Sequence, residues 1–368
     1  MRWIPIALLA AALVSCSTAS GQQASDATTA ATQGPAATAQ RPAAGASQDT
    51  AAARDGERPS PATTPAPAGS PRQRPAAAPA ASCGVADAAD GLVPLTDLGA
   101  ASYGGFAGGL YPNGSNVPPP TYLEEGLAMA EQITPRSAGG QPDANGKIVL
   151  LSIGMSNTTQ EFSDFAQMAQ ADPARASSVV VVDGAQGGQD AETIKDASAR
   201  FWQVVDQRLA AAGTTRQQVQ AVWLKEAIAR ENRAFPADAR ALQADLAQIV
   251  GILTDRFPNL RIVYLSSRTY AGYASTSLNP EPHAYDSAFA VKWLIEERIR
   301  QPGVGPWLAW GPYLWTAGAE GRGDGLTWTC GDVRDDGTHP SPSGQQKVGA
   351  LLLDFFKTDP TARRWFVK

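Results

Sequence analysis

Ser156, in "GMSN", and His339, in "DGTHPSPSG", are the side chains of this sequence best suited to acyl chemistry. A serine hydroxyl is a weak nucleophile until a base removes its proton. The chain has only 2 histidines, so candidate bases are few. Asp336 stands in the same short segment, "DDGTH", ahead of His339. In a turn, that spacing lets a carboxylate reach one imidazole nitrogen, fix the tautomer and stabilise the imidazolium. The other nitrogen is then free to face a serine. His283, in "NPEPHAYD", lacks a carboxylate at that spacing; Asp286 follows it and suits a loop–helix junction. Ser156 taken alone also suits a helix N-cap, so its reading as a nucleophile depends on a partnership with His339.

Such a partnership needs a scaffold that brings distant segments to one edge. "KIVLLSI", "SSVVVVDG", "VQAVWL" and "LRIVYLSS" are continuous apolar runs of strand length, and "PWLAWGPYLW" holds room for a short fifth strand. Continuous rather than alternating hydrophobicity marks strands covered on both faces. Between them lie segments with helical periodicity, among them "TTQEFSDFAQMAQ", with Phe162, Phe165 and Met168 on one face, and a long segment ending at Gly213. The last helix is expected in "SPSGQQKVGALLLDFF", with Ser341 as N-cap and Pro342 in the first turn. Strand and helix in alternation imply an α/β fold, a parallel sheet with helices on both faces. Such sheets bind ligands beyond the carboxyl ends of their strands. Ser156, the 183–188 loop, the Lys225–Glu226 pair and the 268–273 loop all follow strands directly.

Gly154-Met155-Ser156-Asn157 after the first strand, the Gly-rich "DGAQGG" after the second, and Asp336-Gly337-Thr338-His339-Pro340 before the last helix resemble the SGNH (GDSL-type) hydrolases, nearest the sialate O-acetylesterase and acetylxylan esterase branch. The resemblance covers residues 147–357. It implies a flavodoxin-like three-layer α/β/α sandwich with about five parallel strands, and hydrolysis of an ester, often an acetyl group on a sugar. By the same resemblance, Ser156 is the nucleophile, His339 the general base and then acid, and Asp336 its orienting partner. The oxyanion donors would be the N–H of Ser156 and that of Gly187 or Gly188, with Gly188 preferred. A third donor is expected after strand three, where the esterase branch has Trp-x-Gln-Gly-Glu. Here the stretch is Trp223-Leu224-Lys225-Glu226, with Lys225 in the Gln position. Two readings of Lys225 stand: an ammonium donor to the oxyanion, or a partner of Glu226 or an Asp with no part in chemistry. Tyr270, Tyr273, Trp307, Trp310 and Trp315 lie near the ends of strands four and five, as a sugar platform or as packing.

The rest of the chain sets the context. "MRWIPIALLAAALVSC" has one basic residue and an apolar run too short to span a bilayer, as in a signal peptide. Leu13-Val14-Ser15-Cys16 is similar to a bacterial lipobox, which implies lipidation of Cys16, residues 1–16 as the signal, and a membrane anchor. Ser17, not Asp, follows it, and by resemblance to lipoprotein sorting patterns this favours the outer membrane. Residues 17–82 are rich in Ala, Pro, Thr, Ser, Gln and Gly, a composition that reads as a disordered tether. Residues 83–146 read as an irregular extension packed on the domain of residues 147–368. Cys83 and Cys330 remain, either as a disulfide or as two free thiols. The net charge of −5 provides no basic stripe for nucleic acid. Two histidines and scattered cysteines give no zinc spacing. No metal and no cofactor is expected. The reading is a membrane-tethered serine esterase acting on acylated carbohydrate. A glycan-binding module without catalysis and an O-acyltransferase are the alternatives.

Overall fold

The computed structural model describes residues 83–84 and 89–368. The expected signal, Cys16 and the tether of residues 17–82 lie outside the described residues. No helix among the described residues is long and apolar enough to cross a membrane.

The apolar runs form five parallel strands: β1 (Ile148–Gly154), β2 (Val179–Asp183), β3 (Val219–Lys225), β4 (Ile262–Leu265) and β5 (Trp307–Trp310). Every residue of β1, β3, β4 and β5 is buried, and β2, at the edge, is covered less completely. The major helices are α1 (Pro120–Glu131), α2 (Ser156–Ala171), α3 (Arg200–Ala211), α4 (Ala237–Arg256), α5 (His283–Arg300) and α6 (Pro342–Thr358). α2 packs against α6 on one face of the sheet, and α4 packs against α5 on the other. The result is a three-layer α/β/α sandwich.

The strand order is β2-β1-β3-β4-β5. The chain runs outward from β1 to β2, then crosses back to β3 on the far side of β1. That reversal leaves a crevice beyond the carboxyl ends of β1 and β3, where open α/β sheets place their ligands. β1 and β3 pair from Val149 with Val219 to Gly154 with Lys225. Only glycine fits at the end of β1, because a Cβ on Gly154 would stand 2.3 Å from the Lys225 carbonyl oxygen.

Residues 89–146 run past β5 to the amino ends of β1 and β3, where Arg136 pairs with Lys147 and the Thr134 N–H donates to the Gln220 side chain at 3.2 Å. The Tyr122 hydroxyl donates to the Leu308 carbonyl at 2.8 Å, and the Trp307 indole donates to the Tyr122 carbonyl at 3.0 Å. The Lys292 ammonium donates to the carbonyls of Gly108 and Tyr111. A Cys83–Cys330 disulfide, with Cα atoms 5.8 Å apart, fastens the start of the described chain to the segment ahead of Asp336.

Candidate active site

Ser156 is the first residue of α2, directly beyond β1. The N-cap position of this helix is taken by Met155, so Ser156 is not its cap. Instead its Oγ lies 2.8 Å from His339 Nε2. The structure therefore joins two segments separated by 183 positions.

His339 sits on a short turn closed at its base by the pairing of Val333 with Pro340. Within it the Arg334 N–H donates to the His339 carbonyl at 2.8 Å, and Gly337 N–H donates to the Arg334 carbonyl at 2.8 Å. The next residues enter α6, with Ser341 as N-cap and Pro342 at its start. His339 Nδ1 lies 2.6 Å from Asp336 Oδ2. The other Asp336 oxygen accepts the N–H groups of Thr338 and His339 at 3.0 and 2.9 Å. Partial burial works to raise the Asp336 carboxyl, but these bonds from His339 and Thr338 outweigh it and hold the group below the usual carboxylate range. An anionic Asp336 accepting from Nδ1–H leaves Nε2 as the acceptor facing Ser156.

The loop after β2 forms the opposite wall. The Gln186 N–H donates to the Gly154 carbonyl at 2.9 Å, which continues the β1–β2 pairing towards Ser156. Gly187 follows, close enough that a Cβ there would touch the Ser156 Cβ at 3.7 Å. Gly188 has φ +72°, a left-handed conformation suited to glycine, and open space where a side chain would stand. Ser156, Gly188 and His339 line one cavity of ≈ 690 Å³, with Met155, Asp190, Arg230 and Leu278 among the other walls. Asp190 is held in place: one oxygen caps the turn at Thr193 and the other accepts the Ala229 N–H at 3.1 Å. A larger cavity of ≈ 740 Å³ lies between residues 89–97, Tyr270, Tyr273 and residues 317–322, and it contains neither Ser156 nor His339. The paired serine and imidazole, not size, decide between the two.

Lys225 requires a correction. Its Nζ is buried with both Glu161 oxygens at 2.7 and 2.6 Å, and it does not line the Ser156 cavity. It is therefore not placed as an oxyanion donor, and its partner is neither Glu226 nor an Asp. Burial pushes the ammonium down to about 8, against the pull of Glu161. Glu226 is also buried: one oxygen accepts the Ala227 N–H at 3.0 Å, and burial holds the carboxyl well above its ordinary value.

Of the two readings of the aromatic residues, platform or packing, their burial agrees with packing. Tyr270, Tyr273, Trp307, Trp310 and Trp315 are each buried to within 7%. The polar atoms of Tyr273, Trp307, Trp310 and Trp315 serve internal bonds, such as Trp315 Nε1 to Glu281 at 2.7 Å and Trp310 Nε1 to the Leu110 carbonyl at 2.7 Å. No Phe, Tyr or Trp is among the described residues lining the Ser156 cavity. His283 lies at the head of α5 with Nδ1 3.7 Å from Glu231 and 4.0 Å from Asp238, apart from that cavity.

Sequence reasoning missed Arg230, Leu278 and Glu161. The first two lie in loops with no pattern to mark them. Glu161 did carry a signal: it is a charge next to Phe162, on the helix face that covers the sheet.

No family model matches the sequence, and no curated protein matches it. Among solved structures, the periplasmic domain of a lipopolysaccharide acetyltransferase from Salmonella ser. Paratyphi A is similar at 14% identity, with 57% of this chain and 84% of that one covered and a TM-score of 0.34. A salicylyl-acyltransferase, SsfX3, from a tetracycline biosynthetic pathway is similar at 13% identity, over 60% of this chain and 58% of that one, with a TM-score of 0.30. Likeness at that level decides neither fold nor activity.

Proposed function

We propose that this protein is a serine esterase whose nucleophile is Ser156. The observation that carries the reading is the 2.8 Å contact between Ser156 Oγ and His339 Nε2, backed by Asp336 on the other ring nitrogen. His339 takes the hydroxyl proton as Oγ bonds to the ester carbonyl carbon. The oxyanion that forms would be met by the N–H groups of Ser156 and Gly188, at the positive end of α2. Collapse breaks the bond to the leaving alkoxide, which takes the proton from His339. Water, deprotonated by the same imidazole, then attacks the acyl-enzyme and releases the acid.

The Gly-x-Ser-Asn and Asp-Gly-Thr-His-Pro motifs support carbohydrate O-acyl groups as substrates. The lipobox-like Leu13–Cys16 supports a lipid anchor in the cell envelope, with the outer membrane favoured. The cavity of ≈ 690 Å³ also has room for more than a small acyl group and a water. That favours, as a second reading, transfer of the acyl group to a sugar hydroxyl.

Release of p-nitrophenol from its acetate ester tests the proposal. Wild type should turn over and react with a fluorophosphonate at Ser156, and Ser156→Ala should do neither. Equal rates in the two proteins would remove Ser156 from the chemistry. A wild type that binds polysaccharide but neither turns over nor labels would be a binding module. Added sugar acceptors that divert the acyl group from acetate to sugar ester would identify a transferase.

A further inference from the structure

Lys225 is gripped twice by the helix that begins with Ser156. Its backbone carbonyl accepts the Thr158 hydroxyl at 2.7 Å, and its ammonium holds both Glu161 oxygens. Thr158 and Glu161 are one turn apart on the same face of α2. Phe162 continues that face, stacked on Trp223 of β3 with ring centres 5.6 Å apart. On the other side of the helix start, the Thr159 hydroxyl donates to Asp183 at the end of β2. Ser152 also donates to Asp183, at 2.5 Å. These bonds tie the first two turns of α2 to the ends of β3 and β2 at defined points along the helix axis. The Lys225–Glu161 pair is 1% and 0% exposed, so water cannot substitute for either partner. Replacing such a buried pair with apolar side chains of similar volume is often neutral or stabilising. Stability is therefore a weak explanation for having the pair here.

We propose that Lys225 is a positioning residue that fixes the axial register of α2 through Glu161 and Thr158, and with it the place of Ser156 against His339 and Gly188. This rests on the reading of Ser156 as nucleophile. A helix that shifts by ~1 Å breaks the alignment of a reacting hydroxyl and costs on the order of 10²-fold in rate.

The test compares wild type, the apolar pair Lys225→Met/Glu161→Leu, and the swapped pair Lys225→Glu/Glu161→Lys. The apolar pair removes both charges, so neither is left buried alone. Three quantities are read for each protein: the thermal midpoint, p-nitrophenyl acetate kcat and KM with the fluorophosphonate labelling rate, and the ¹⁵N shift of His339 Nε2. In the apolar pair we expect an unchanged or higher midpoint and KM within twofold. The kcat and labelling rate should fall 10- to 100-fold, and the Nε2 shift should move to that of an imidazole without a hydroxyl partner. The swapped pair should recover part of the rate. A folded apolar pair with wild-type kcat and an unmoved Nε2 shift would overturn the proposal and leave the pair a purely structural one. The Nε2 shift is independent of turnover. If wild type is inert but loses its Nε2 contact in the apolar pair, positioning stands and the esterase reading fails.

Discussion

Gly337 presses against the Tyr273 carbonyl so closely that a Cβ at Gly337 would stand 1.8 Å from that oxygen. Gly337 also has φ +65°, in the left-handed region. Both facts fall on the residue that follows Asp336, and the Ser275 N–H donates to the Asp336 carbonyl at 3.1 Å beside it. The turn bearing Asp336 and His339 is thus docked onto the loop after β4 by a contact that only glycine permits.

Gly337→Ala should therefore act on the site as well as on the fold. The strained conformation costs on the order of 1–3 kcal/mol, and the clash with Tyr273 forces the turn away from its dock. We expect a lower denaturant midpoint and an ester hydrolysis rate at least 10-fold down in the fraction that remains folded. A folded variant with unchanged kcat would show that the dock does not position His339.

Asp336→Asn isolates the role of the carboxylate. The amide cannot hold the Nδ1–H tautomer, so the ring presents the wrong nitrogen to Ser156, and kcat should fall on the order of 10⁴-fold. The folded Asp336 carboxyl lies below its ordinary value, so its stabilising contribution is present above the usual carboxylate range and is lost as pH falls through the folded value. Denaturant midpoints of wild type and variant should differ by a constant amount near neutrality, and the gap should close in strong acid. A gap that widens in acid would contradict the assigned ionisation.

The parts that sequence made legible are those set by local pattern. Unbroken apolar runs gave the strands, because burial on both faces leaves no polar alternation to confuse the reading. Ser341-Pro342 marked the start of α6 because a hydroxyl cap followed by a residue without N–H has few other uses. Lys225 was misread because its surroundings come from another element. Glu161 lies 64 positions away, and only the packing of α2 on β3 shows that it reaches the ammonium. The aromatic residues stayed undecided between platform and packing for the same reason: nothing local announces that the carbonyls of Tyr122 and Leu110 meet the Trp307 and Trp310 indoles.

The Cys83–Cys330 bond spans 247 positions, so its reduction releases a very long loop in the unfolded chain. Disulfides of this kind contribute about 2–5 kcal/mol. Cys330 opens the turn Cys330–Asp332, but the His339 turn has supports of its own. Asp332 binds Lys347 at 2.6 Å and Ser343 at 2.7 Å, and Gly337 stays docked. Cys83→Ser/Cys330→Ser should lower the denaturant midpoint while keeping kcat within about threefold at 25 °C, well inside the spread of single-contact effects. A loss of kcat in protein that is still fully folded would mean that the bond itself holds His339 in place.

The pH dependence of stability follows from buried acids outside the Ser156 cavity. Burial is the main cause that raises Glu231 to about 8, with Asp238 and Asp286 adding to it and Asn279 working against it. Burial likewise raises Asp286 to about 7, with Tyr103 opposing and Glu281 and Asp238 adding. Glu226 and Glu281 are displaced in the same direction, again chiefly by burial. In the unfolded chain all of these titrate in the ordinary carboxylate range, near pH 4. Between that range and pH 7–8 the folded protein holds protons that the unfolded chain has released, so stability falls as pH rises through this window. Lys225, lowered to about 8, has the opposite sign, but only above that pH, where the unfolded chain still carries its proton. Wild type should therefore show its highest denaturant midpoint in mild acid, with a decline up to pH 8 to which each of these four carboxyls contributes. Glu231→Gln combined with Asp286→Asn should make that decline shallower, because neither amide titrates, while Glu226 and Glu281 keep part of it. A wild-type midpoint that rises from pH 5.5 to pH 8 would show that these carboxyls are ionised in the folded protein.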